Sequence, residues 1–91
     1  MLVLTRKSGS LTYIGSHAIK VNVLNQSRIE IRHNGYRIGT YRVGDEVNFQ
    51  TNGDITIHVI EIRTRNCIIG ITAPKNISIM REEAKRKDGY G

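Results

Sequence analysis

The chain has 91 residues, with 14 Lys or Arg against 8 Asp or Glu, a formal charge of +6 spread along its length rather than held in one block. A chain of that size forms one domain and buries only about 60 to 65 % of its unfolded surface, so its own core is modest and a multidomain enzyme is excluded. The basic balance favours a polyanionic partner and electrostatic capture, and no apolar run approaches the length of a membrane span.

Residues 2 to 7, LVLTRK, alternate as a strand, with Leu2, Leu4 and Arg6 on one face and Val3, Thr5 and Lys7 on the other. Ser8-Gly9-Ser10 turns the chain into LTYIG, a second short strand. AIKVNVL, residues 18 to 24, is a third, with Ile19, Val21 and Val23 in phase. Asn34-Gly35 lies between two alternating runs and is the two-residue hairpin signal, because both turn residues need positive φ. Residues 28 to 33 and 36 to 43 should therefore pair. Gly44-Asp45 leads into EVNFQ, and Asn52-Gly53 offers another hairpin joint into DITIHVIEIR, residues 54 to 63. NCIIGIT, residues 66 to 72, returns across a tight connection at Thr64-Arg65. The single proline, Pro74, cannot donate to a ladder and marks a strand end. NISI is the last expected strand, with Ile77, Ile79 and Arg81 on one side.

From about Arg81 the pattern changes to a short helix, with Glu82 and Glu83 at its start and Lys85, Arg86 and Lys87 at its end, the order that complements the helix dipole. Two turns are too few to stand alone, so this helix must lean on the sheet or on a partner. AIKVNVL and DITIHVIEI look alike enough to raise the question of a duplicated strand unit, although two alternating strands also resemble each other by chance.

Ile and Val recur in short runs while aromatics are limited to four Tyr and one Phe, which points to a core shared in an oligomer. Cys67 is the one cysteine. It suits a reducing compartment and a buried position in NCIIG. The N-terminus lacks the apolar core and cleavage site of a signal peptide, so the expected location is cytoplasmic. His17, His33 and His58 are far apart in the sequence with no carboxylate or second cysteine at ligand spacing, and no Gly-rich loop opens a helix. Glu82 and Glu83 are adjacent, about 100° apart on a helix, and serve its first turn better than acid/base work. The expectation is a noncatalytic protein without cofactor or metal.

MLVLTRKSG at the start, IG at 14 and 15, DITIHVIEI, IIGITAPK and ISIMREE together resemble the carbon storage regulator (CsrA/RsmA) family of bacterial translational regulators, over residues 1 to 15 and 54 to about 85. Each motif is weak by itself; their order and combination are specific. The resemblance implies a mainly β fold: a small antiparallel domain with a short C-terminal helix, in an intertwined homodimer where the first strand of one protomer lies beside the last strand of the other. It implies two RNA sites on opposite edges, each gripping a GGA element in a hairpin loop, often at the ribosome-binding site of a messenger RNA. Carried across, the site comprises Leu4, Thr5, Arg6 and Lys7 from one chain with Ala73, Pro74, Lys75, Ile77, Ile79, Met80, Arg81 and Glu82 from the other. Partners would be messenger RNA and small regulatory RNA bearing GGA elements, and also another family member or a protein antagonist.

Elementary chemistry is compatible with such a site. Unstacked loop guanines expose their edges to backbone groups at strand ends, while Arg and Lys hold phosphates. Few aromatics are needed, which argues against an RRM-type stacking sheet. Leu4, Ile77 and Ile79 would also sit in a β-core without any RNA, and Arg6 and Lys7 could be edge-strand charges that block aggregation.

Residues 16 to 53 stand outside the resemblance as a strand-rich insertion between the family's second and third strands, in one domain spanning 1 to 91. Another threading takes AIKVNVL as the family's third strand and moves the extra material into the next hairpin. Met80 occupies the place of a histidine common in the family, and Ile68 that of an arginine. A second function class is a protein-interaction or assembly module on the same scaffold, with weakened RNA binding.

Overall fold

The fold is given by a computed structural model that describes residues 1–50 and 54–83. Alternation sets its strands. In β1 (Leu2–Lys7) Leu4 and Arg6 point inward, and in β2 (Ser10–Ile14) Thr12 and Ile14 do so. Gly15, at φ 59, turns β2 into β3 (His17–Asn25), and β4 (Arg28–His33) returns beside it.

Asn34 and Gly35 both have positive φ, 50 and 88, and join β4 to β5 (Tyr36–Tyr41) as the dipeptide predicts. This turn is pinned to the neighbouring strand, because the Ala18 amide donates to Asn34 Oδ1 at 2.9 Å and the Asn34 amide to the Ala18 carbonyl at 2.8 Å. β6 (Glu46–Gln50), β7 (Asp54–Ile62) and β8 (Asn66–Thr72) then form an antiparallel meander. The Asn52-Gly53 joint itself lies outside the described residues, between the paired Gln50 and Asp54.

The last strand differs from expectation. β9 (Ile79–Arg81) begins later than NISI and includes Arg81. The cause is a local turn held by a distant strand: the Ile77 amide donates to the Pro74 carbonyl at 3.0 Å, and the Gly15 amide to the Ser78 carbonyl at 2.8 Å, so residues 74–78 form an anchored turn. Of the expected helix only Glu82 and Glu83 are described, both in helical conformation; Lys85, Arg86 and Lys87 lie outside the described residues.

Two antiparallel sheets result, ordered β1-β8-β7-β6 and β5-β4-β3-β2-β9. Their inward faces share one core. Ile14, Ile19, Val21, Ile29 and Ile31 come from one sheet, and Leu4, Val47, Phe49, Ile55, Ile57, Val59, Cys67, Ile69 and Ile71 from the other. Each such side chain contributes roughly 1.5 to 3 kcal/mol when fully buried, and a one-residue slip would turn a whole strand's set to solvent. The long-range pairings, β1 on β8 and β9 on β2, are both made within one chain. No helix among the described residues is long and apolar enough to cross a membrane.

Candidate nucleic-acid interface

β1 and β9 are each an end strand of their sheet, and a side-chain pair links β1 to Glu83, just after β9. What joins them is Arg6. Alternation places its side chain on the buried face of β1, where a cation is tolerated only if it is paired. Its guanidinium reaches Glu83, with Nη1 donating to Oε2 at 3.2 Å and Nη2 to Oε1 at 3.0 Å, and Nη2 also donates to the Leu11 carbonyl at 2.7 Å. Glu82 completes the joint by accepting the Leu11 amide at 3.2 Å. Arg6 is only 2 % exposed, whereas the Glu83 side chain is 61 % exposed. The hydrogen bonds from Arg6 hold the Glu83 carboxyl down to about 2, with the charge of Arg81 adding a smaller push in the same direction.

Beside this clasp lies a groove of about 420 Å³, lined by Thr5, Arg6, Lys7, Ser8, Ser10, Asn66, Glu82 and Glu83. A second depression, lined by Lys7, Ser8, Thr64, Arg65 and Asn66, continues from it. Lys7, Arg65 and Arg81 are exposed. Arg6 Nε and Asn66 Oδ1, from two residues that line the groove, have no hydrogen-bond partner among the described residues.

The residues singled out from the sequence fall into three groups. Thr5, Lys7, Arg81 and Glu82 come together around the clasp, with Arg81 opposite Thr12 and Met80 opposite Tyr13. Ala73, Pro74, Lys75 and Ile77 lie in the connection from β8 to β9, where Lys75 is exposed while Ala73 and Ile77 pack on the core with Ile79. Leu4 and Arg6 are buried, so Leu4 shapes the edge from beneath and Arg6 acts as its fastener.

Sequence reading missed Glu83, Leu11, Ser10, Arg65 and Asn66. The one available signal was the inward phase of Arg6, which demanded an acceptor that local sequence could not name.

Away from this edge, His17 Nδ1 and His33 Nε2 are 2.9 Å apart, although the sequence separates them, and the His33 ring meets that of Phe49 in a tilted contact with centroids 4.9 Å apart. Burial, then the neighbouring His17, holds the His33 pKa below its ordinary value. Among the described residues no third ligand joins them. Cys67 is fully buried, and burial raises its thiol to about 11.

No curated protein and no solved structure matches the chain. A family model does, over residues 40–88, a span that takes in residues 40–53 of the segment read as an insertion. With more than half of its 91 residues matched, from within β5 through β9, the chain belongs to the CsrA family, described as a global regulator protein family, whose members are non-enzymatic RNA-binding regulators.

Proposed function

We propose that the protein binds GGA elements in hairpin loops of messenger RNA leaders in the cytoplasm, and so controls translation initiation or message decay. Small RNAs carrying the same element compete for it. The supporting observation is the edge beside β1: exposed Lys7 and Arg65 line adjoining depressions, the first of which is closed by the Arg6–Glu83 pair, and exposed Arg81 stands near enough to Glu83 for its charge to act on that carboxylate.

Exposed cations at strand ends suit phosphate oxygens, and backbone groups beside them suit the edges of unstacked guanines. Arg81 has the further capacity for bidentate bonding to a base or phosphate. A fixed edge matters because a guanidinium aimed by its strand loses less freedom on binding.

The test is a gel-shift titration of one hairpin against its GGA→CCA version at two salt concentrations. The proposal expects the GGA hairpin to bind more tightly at both. Equal affinity with a steep salt slope would leave only polyelectrolyte attraction and return the scaffold to an assembly role.

A further inference from the structure

The strands recur with one set of lengths. β1 to β4 contain six, five, nine and six residues, and β5 to β8 contain six, five, nine and seven. Exchanging the first four strands for the second four converts the order β1-β8-β7-β6 into β5-β4-β3-β2, which is the other sheet without β9.

Register obeys the same exchange except at one point, the shift between Ile31 and Arg32 in the β4–β5 pair, which the β1–β8 pair lacks. Val21 faces Ile31 as Ile57 faces Ile71, and Ser10 faces Val21 as Val47 faces Ile57. Leu4 faces Ile69 as Tyr41 faces Ile29. Both long hairpins shift register at the same place, between Val23 and Asn25 and between Val59 and Glu61. At that place the Val23 amide donates to Ser8 Oγ at 2.8 Å and the Val59 amide to the Asp45 carbonyl at 3.0 Å, and Ser8 and Asp45 occupy matching positions. Strand lengths in proteins vary from about 3 to 10 residues, so unrelated hairpins would not agree in length, order, register and bulge together.

The sequence agrees with the repeat. The family match runs from residue 40, within β5, through β9 and so takes in one unit, while the MLVLTRKSG motif of the same family stands outside it at the start of the other.

We infer that residues 1–35 and 36–83 are two copies of one strand-exchanged unit, so that a single chain makes the assembly two separate copies would make, acts as a monomer, and carries one complete RNA edge. In each sheet the first strand comes from the other unit, β1 beside β8 and β5 beside β4. Residues 16 to 53 are then the end of one copy and the start of the next.

The second edge is unfinished. β8 is followed by the turn to β9, which covers β2, but β4 passes straight through Asn34-Gly35 into β5. The counterpart of β2, β6, therefore has no strand on its outer side among the described residues. The fastener is missing too: the position matching Arg6 is Val43, 55 % exposed, and that matching Lys7 is Gly44.

The count of RNA sites rests on the function proposed above; the count of chains does not. Native mass spectrometry of the full chain at low micromolar concentration, alone and titrated with a GGA hairpin, tests both. The expected free species is 10.3 kDa, taking up one hairpin at saturation. A free species of two chains, or two hairpins on one chain, overturns the inference. Failure to take up any hairpin removes the RNA reading, and the free mass still decides whether one chain is the whole assembly. In parallel, Arg81→Ala should lower affinity about 5- to 150-fold. Arg42→Ala, at the position matching Thr5 on the other edge, should change it less than about twofold. Comparable losses would mean that both edges bind, against the inference.

Discussion

Replacing Glu83 by Gln probes the clasp that Arg6 makes beside the proposed RNA edge. In the folded protein the hydrogen bonds from Arg6 hold the Glu83 carboxyl at about 2, against an ordinary value of 4.5. A depressed carboxyl stabilises the fold at pH values above its unfolded value, and that contribution is lost as pH falls from about 4.5 towards 2. The size of the effect is set by exposure. With 61 % of the Glu83 side chain in solvent, screening reduces the ion-pair gain to about 1 kcal/mol, while the buried guanidinium loses one of the two carboxylate oxygens that compensate its burial. Glu83→Gln keeps the shape and one acceptor oxygen, so a loss of about 1 kcal/mol at pH 7 is expected. Urea denaturation at intervals from pH 7 to pH 2 measures it. The two stability curves should converge as pH falls below 4.5, because the wild type loses what the variant never had. Residual acid sensitivity in the variant is expected from Glu30, whose carboxyl is lowered by its hydrogen bond from Asn22 and then by Arg32. Curves that stay parallel down to pH 2 would refute the Arg6–Glu83 pairing in solution.

Gly35→Ala should destabilise by about 1 kcal/mol: the position has φ 88 with open space around an added Cβ, so the cost is backbone strain alone, readable as a lowered Tm. Cys67, buried and raised to about 11, should resist a thiol reagent at pH 8 in the native protein and react at once in urea; rapid native labelling would place it at the surface. Arg81→Ala should leave the thermal melt within about 0.5 kcal/mol of wild type, since Arg81 is exposed, so a large drop would assign it a structural role in place of an RNA contact.

Strands and turns were readable from the sequence because their causes are local. Period-two alternation placed β1, β2, β3, β7 and β8 nearly at their observed bounds, and Asn34-Gly35 announced its turn through the φ values it permits. β9 was misplaced because its start is set by the Gly15 amide taking the Ser78 carbonyl, a bond between segments far apart in the chain. His17 and His33 are a similar case: β3 and β4 bring them together, and no spacing rule anticipates it.

The sequence by itself determined the alternation, the hairpin turns, the basic charge and the family motifs at both ends, since each depends on residues within a few positions of one another. Only the tertiary structure decided which distant strands share a sheet, what neutralises Arg6, and that the middle of the chain repeats the pattern of its two ends. The physical reason is that sheet pairing constrains strand length and register while tolerating many side chains. Two copies can therefore diverge in residue identity and still keep the same geometry.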